Sequence, residues 1–462
     1  MSSSIKKTLI ALSISSALAA PSAFATNGYF AHGYSTTEKS LAGAGVAYSQ
    51  DAMAIANNPA GIAGMGERLD VGAALFNPNR SFTTTGGSSA TDGCSPQGCN
   101  FRIGPNSVES DSNLFFIPHI AYNWQLDSNT SFAVAAYGNG GMNTTYKKGT
   151  ATLPVNPTGA PGNTHQTFGG VFGGSSAGVG DATGVNLAQL FINASYAKKI
   201  NKDHALGASL IFAYQEFKAD GLGAFAAQSS DPANLSNNGD DSSTGFGVKL
   251  GWQGKVAPDV TIGVSYQSKI SMSEFDDYAG LFAEGGDFDI PASSSIGLAW
   301  KTSDRSTLVV DVQSIYYSDI AAISNPIANI FTCAPGAPTV GGTGDGCLGG
   351  SNGAGFGWDD MTVVKVGYEW EQNDMTWRVG LSNGSQPIAD SETMFNILAP
   401  AVIETHITGG FTMPIDSASE FTFAAMYAPS NSVSGTSPFD GQQTIEIEMD
   451  QLEFQGTYTM KF

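Results

Sequence analysis

Basic side chains are scarce in this chain. Only 20 lysines and arginines stand against 41 aspartates and glutamates, giving a formal net charge of −21 at pH 7. Nucleic acid is excluded as a partner, because neutralising phosphates needs a basic face. Charge of either sign is sparse: 13% of residues, against roughly 25% in soluble domains. With 41% hydrophobic residues and 57 glycines, this implies that much of the surface does not face water. Long apolar runs are missing as well. Beyond residue 25 no stretch of about 18 or more apolar residues occurs, which excludes membrane-spanning helices. The five histidines, His32, His119, His165, His204 and His406, form no HExxH, and there is no GxSxG. Gly43-Ala44-Gly45 lacks the third glycine of a phosphate loop, Tyr48 standing in its place. A triad assembled from separate strands would leave no such spacing. The expectation is no enzyme, no cofactor and no metal.

The first residues read as an export signal. Lys6 and Lys7 precede an apolar stretch from Thr8 to Ala20, and Ala23-Phe24-Ala25 fits a small-x-small cleavage site. A signal peptide at 1–25 would leave a mature chain beginning at Thr26. The 4 cysteines suit an oxidising compartment: Cys94 with Cys99, and Cys333 with Cys347, could each close a local loop. CxxxxC without paired histidines is a poor zinc signature.

From Arg68 onward the apolar residues alternate. Phe246, Val248, Leu250 and Trp252, then Ile262, Val264 and Tyr266, then Val364, Val366, Tyr368 and Trp370, and Phe421, Phe423, Ala425 and Tyr427 all follow the period of two that marks strands. The opposite face carries Lys249, Lys365, Glu369 and Arg378 among small polar residues. Apolar outside and polar inside is the pattern of a transmembrane barrel. Fourteen strands are expected, at 68–76, 113–126, 129–139, 183–200, 204–219, 243–257, 260–274, 288–302, 306–319, 359–371, 375–386, 402–414, 419–430 and 448–462. Long connections alternate with short turns such as Asp127-Ser128, Pro258-Asp259 and Gln372-Asn373-Asp374. In outer-membrane barrels the short turns are periplasmic, which would place both termini there. Trp124, Trp252, Trp300, Trp370 and Trp377 fall near short turns, where indoles sit at headgroup level. The chain ends in the alternating strand Tyr458-Thr459-Met460-Lys461-Phe462, which looks like the terminal signal of such barrels.

The segment 26–67 has no strand alternation and is rich in small residues. Asp51 is placed to cap a short helix over Ala52–Ala56, which Asn57-Asn58-Pro59 would end. A barrel of this width leaves a channel unless something fills it. Gly43-Ala44-Gly45-Val46-Ala47, Gln50-Asp51-Ala52 and Asn58-Pro59-Ala60-Gly61 resemble the hatch region of the FadL/TodX family of outer-membrane transporters for long-chain fatty acids and other hydrophobic compounds. Pro291 to Gly297, Trp377-Arg378-Val379-Gly380, Gln386-Pro387 and Ala399-Pro400 look like later landmarks of that family. The resemblance implies a monomeric all-β barrel in the outer membrane, plugged by an N-terminal hatch over 26–67, with the barrel at 68–462. Substrate would settle in an apolar groove among outer loops, pass to a lumenal pocket and leave sideways into lipid beside a kinked strand. Its partners would be that substrate, outer-membrane lipid and lipopolysaccharide.

By that resemblance Asn58, Pro59, Ala60, Gly43 and Gly45 are gating residues of the hatch, and Thr26, Asn27 and Gly28 lie near the lumenal pocket. Leu222, Phe225, Tyr278, Leu281 and Phe282 are apolar residues in loops that should be polar, and are candidates for the groove. Lys249, Lys365 and Arg378 share inward parity and could meet a substrate carboxylate, although pairing with Glu369 and Asp311 is the more ordinary use of buried charge. The acidic loop residues Asp231, Asp240, Asp241, Asp276 and Asp277 could bind divalent cations near lipopolysaccharide, although a solvated loop is the more ordinary reading. Aromatic hydrocarbon uptake, a general diffusion porin and a surface adhesin with loops such as Gly162 to Gly184 remain as rival readings, and the hatch weighs against the last two.

Overall fold

The computed structural model describes residues 27–87, 101–104, 107–154, 165–172 and 182–462. The expected signal peptide at 1–25, Thr26, Cys94, Cys99 and most of Gly162 to Gly184 lie outside these residues. Fourteen antiparallel strands close into a barrel: β1 (Arg68–Gly86), β2 (Phe115–Gln125), β3 (Thr130–Asn143), β4 (Gly184–Lys199), β5 (His204–Asp220), β6 (Asp241–Ala257), β7 (Val260–Gln267), β8 (Ser293–Ser303), β9 (Ser306–Ile315), β10 (Met361–Gln372), β11 (Met375–Gly384), β12 (Thr405–Pro414), β13 (Ser419–Ser437) and β14 (Asp440–Lys461). Each pairs with its sequence neighbours, and β14 closes on β1 from Arg68↔Lys461 to Gly86↔Gln443.

The alternation sets which side chains meet lipid. On β6 Phe246, Val248 and Leu250 are 63%, 46% and 55% exposed, while Lys249 between them is 5% exposed. On β10 the same inversion exposes Val364 and Val366 and buries Lys365. A soluble protein would bury the apolar face. Here it is turned outward, as a hydrocarbon surround requires, and the pairing of β14 with β1 closes the barrel.

The short turns fall at one end, with Phe462 N–H bonded to the Glu67 carbonyl beside them. Long connections gather at the other end and carry short helices and a small sheet of Arg102–Ile103, Thr150–Pro154 and His165–Gly169. The expected boundaries shift at several strands, most in three places, while β8 starts at Ser293 rather than 288 and β9 ends at Ile315 rather than 319. β1 runs to Gly86 rather than 76 because Phe76, Phe82 and Thr84 keep the inward parity through Pro78. β13 and β14 continue well beyond the expected loop at 431–447 and meet at a tight turn, as Val433, Ile445 and Ile447 pack inward. β7 stops at Gln267, with only Ser271–Met272 continuing against β6.

Candidate functional site

Residues 27–67 run through the barrel lumen as short helical turns tied to strands on all sides. Thr36–Lys39 is α1, started by Ser35, whose hydroxyl accepts from Glu38 N–H at 3.0 Å. Its Lys39 forms a buried ion pair with Glu453 on β14. Next along the chain, Gly45 and Val46 donate their N–H groups to Asp311 Oδ2 on β9 at 2.7 and 2.9 Å. Tyr48 hydroxyl and Gln50 amide donate to Glu369 on β10 at 2.6 and 2.8 Å. The Ala52–Ala56 turn is a 3-10 helix, not capped by the Asp51 side chain as expected. Its Ala52 N–H is instead taken by Asp70 of β1 at 2.8 Å.

Asn58-Pro59 does not simply end that helix; it starts a second one, Pro59–Ile62. Asn58 Oδ1 accepts from Ala60 N–H at 3.1 Å, and Pro59 takes the first helical position, where no N–H is needed. The Asn58 amide also donates to the carbonyls of Val46 at 2.7 Å and Trp252 at 3.0 Å, joining segment to wall. The wall makes room with glycine: a Cβ on Gly251 would lie 2.0 Å from Asn58 Oδ1. At φ +81°, Gly43 presses so close to the His32 carbonyl that a Cβ would sit 1.7 Å from it. Glu38 is buried beside Gly45 with neither oxygen hydrogen-bonded. Burial pushes its carboxyl up to about 8; Asp51 adds to the rise, and the Ser35 backbone and Lys365 oppose it.

The three expected lumenal cations are all occupied by this segment or its supports. Lys249 donates to the Ala56 carbonyl, and Lys365 to those of His32 at 3.1 Å and Gly43 at 3.4 Å. Arg378 holds Glu369 at 2.6 Å, Thr412 at 2.7 Å and Gln50 at 2.7 Å. Pairing with Glu369 is thus found for Arg378, whereas Lys365 turns from its cross-strand neighbour Asp311 to backbone oxygens.

Four of the five expected loop residues meet. Leu222, Phe225, Leu281 and Phe282 line a narrow apolar pocket, together with Phe217, Phe356, Phe395 and Leu398. Tyr278 does not line it; its ring packs edge-on against Phe217 at 4.8 Å, and its hydroxyl donates to the Gly239 carbonyl. Leu348, another lining residue, follows Cys347, which is disulfide-bonded to Cys333. A smaller cavity is lined by Gly28, Arg80, Met142, Trp358 and Ala399–Ala401. Sequence reading missed Arg80 and Trp358. Arg80 has the parity of Arg68 and would have been flagged by extending the first strand; Trp358 is the tryptophan away from the short turns, and its indole N–H donates to Asn396 at 2.6 Å.

One seam in the wall lies beside these cavities. Pairing of β2 with β3 runs from Gln125↔Ser131 to His119↔Tyr137 and stops, although β2 continues to Phe115 and β3 to Asn143. Pro118, with no N–H to give, is the first residue past the last pair. Against β4, β3 shifts register between Gly138 and Gly140. At that bulge the lumenal segment bonds to the wall: Ala31 N–H to the Asn139 carbonyl at 3.0 Å, and Gly141 N–H to the Tyr29 carbonyl at 3.1 Å. Among the described residues no group of three or more His, Cys, Asp or Glu is arranged to hold a metal ion.

Comparison with known proteins agrees with this architecture. The barrel matches the toluene transporter TodX of P. putida with a TM-score of 0.65 at 17% identity, over 93% of this chain and 99% of that one. It matches a Pseudomonas aeruginosa FadL homologue with a TM-score of 0.60 at 14% identity, over 94% and 100%. The toluene transporter TbuX of Ralstonia pickettii gives a TM-score of 0.57 at 15% identity, over 93% and 99%. No curated protein matches the sequence. The family model for outer membrane protein transport proteins (OMPP1/FadL/TodX) matches residues 158–457, and the chain belongs to that family of outer-membrane β-barrel transporters of hydrophobic compounds.

Proposed function

We propose that the protein carries hydrophobic small molecules, long-chain fatty acids foremost, from the outer surface into the outer membrane. Ligand is captured in the apolar pocket formed by Leu222, Phe225, Leu281 and Phe282 and passes to the cavity beside Gly28. Residues 26–67 act as the hatch, with Asn58, Pro59, Ala60, Gly43 and Gly45 as its fixed points. Release is sideways, through the seam between β2 and β3. Export by residues 1–25, termini on the periplasmic side and a monomer surrounded by lipid and lipopolysaccharide complete the reading.

The observation that carries it is the apolar pocket under the outer loops. Each buried methylene is worth about 0.8 kcal/mol, so an oily solute is drawn to such a pocket as it would not be to an aqueous pore. A bulged strand with an unpaired stretch beside it supports exit into lipid without a return to water. Aromatic hydrocarbons are the second reading, favoured by the likeness to the toluene transporters TodX and TbuX.

The test uses the purified protein in lipid vesicles, labelled palmitate outside, toluene as competitor and an albumin trap within. Saturable transfer into the lipid phase, with low ionic conductance, is expected. Strong competition by toluene would shift the substrate to hydrocarbons. Steady open conductance without saturable transfer would sink the reading in favour of a porin.

A further inference from the structure

Charge is spread unevenly over the long connections. Those after β1 and β3, residues 87–114 and 144–183, together carry four acidic and three basic side chains. The four that wall the larger pocket, 221–240, 268–292, 316–360 and 385–404, carry two, six, four and three acidic residues, 15 in all, against one basic residue, Lys269. Lys269 is paired with Asp289 at 2.7 Å, and among the described residues none of the other 14 acids forms an ion pair. Ten of the 15 are exposed, among them Asp276, Asp277 and Glu284, which flank the lining residues Leu281 and Phe282 in sequence. The crowding of like charge shows at Asp287, whose carboxyl is pushed up to about 7 by burial, then by Asp289 and Glu284.

The pocket beneath holds no answering cation. Every side chain that lines it is apolar, from Val185 and Phe217 on the wall to Phe395 and Leu398 in the last of these connections. A carboxylate taken inside would lose its water and find no partner. At the mouth it would meet a field of one sign, and such fields change the local concentration of an ion by about 10-fold or more at low salt. Anions are depleted there, cations enriched, and a neutral ligand is unaffected. The acids are not themselves the binding site: the apolar pocket holds the ligand, and they act on it from the rim.

We propose that these loops filter ligands by charge at the capture step, so that the larger pocket takes its ligand uncharged or with a cationic head, and takes a fatty acid in its protonated form. This rests on the transport reading above and adds to it the charge state in which the ligand is captured. Binding of labelled decanoate, decanol and decylammonium to the full chain in phosphatidylcholine nanodiscs at pH 7.4 tests it, with binding to empty nanodiscs subtracted. The Debye length falls from about 30 Å at about 0.01 M salt to about 3 Å at about 1 M. Over that range decanoate binding tightens and decylammonium binding weakens, each by about 10-fold relative to decanol. D276N combined with D277N and E284Q moves both ions about 2-fold towards decanol at low salt and leaves decanol itself unchanged. Decanoate and decylammonium that shift in the same direction relative to decanol, or do not shift, overturn the inference while leaving apolar transport standing. So does decanoate binding tighter than decanol at low salt. Binding of none of the three ligands would overturn the transport reading itself, and this inference with it. The salt series needs no variant, so it decides the matter even if the triple variant fails to fold.

Discussion

Asp311 on β9 holds the backbone of Gly45 at 2.7 Å, and that of Val46 at 2.9 Å through the same oxygen. A strand carboxylate here does what an oxyanion binder does in reverse: a fixed charge organises two N–H groups of a segment that has no regular structure of its own. Hydrogen bonds to a charged group are worth about 1.5–3 kcal/mol each, so D311A is expected to loosen residues 41–48 without opening the barrel. Amide exchange checks this. Faster exchange confined to that stretch is expected; unchanged protection there would show that the contact is incidental.

Arg378 and Glu369 form a buried pair that also secures Gln50 and Tyr48. Removing one partner leaves an unpaired charge, at a cost of about 3–5 kcal/mol, whereas removing both costs much less. Thermal unfolding of R378M, E369Q and the double variant should therefore show the double variant more stable than R378M. A double variant at the sum of the two losses would mean that the pair does not act as a unit.

The barrel was legible because its signal is repeated along each strand. Period two survives errors at any one boundary, and the charged residues that broke the apolar pattern, Lys249, Lys365 and Arg378, were for that reason placed correctly in the lumen. What parity cannot supply is the partner. Nothing in the spacing of Lys365 says that it would reach the carbonyls of His32 and Gly43 rather than Asp311 opposite. Arg80 was lost to an early strand end at 76, since Pro78 reads as a break in sequence yet is tolerated in β1. The seam between β2 and β3 was illegible for a different reason: an unmade ladder leaves no mark on either strand except Pro118.

The bond between Cys333 and Cys347 spans a sequence separation of 14 and ends beside Leu348 in the larger pocket. Closing a loop of that length is worth about 3 kcal/mol in the chain-entropy account. Reduction, or C333S with C347S, should lower the unfolding temperature by a few degrees and weaken palmitate capture several-fold. Equal affinity before and after reduction would separate the disulfide from the pocket.

Glu38 gives the lumenal segment a pH dependence. Burial above all, then Asp51 and to a lesser degree Asp311, raise its carboxyl from the ordinary 4.5 to about 8 against the opposing Ser35 backbone and Lys365. The folded chain then keeps a proton that the unfolded chain releases at about 4.5, so this group's contribution to stability is full below 4.5 and is lost as pH rises towards 8. His32, held well below its usual value by burial and by Lys39, acts the other way: its contribution is lost as pH falls below 6.5. Protection of residues 27–67 against amide exchange, corrected for the intrinsic rate, should therefore decline from pH 6.5 to pH 8 in the native chain. E38Q carries no titrating group at that position, so its decline should be much shallower over the same interval, while barrel strands show no difference. If E38Q and the native chain lose protection in parallel, the buried carboxyl is not what couples this segment to pH.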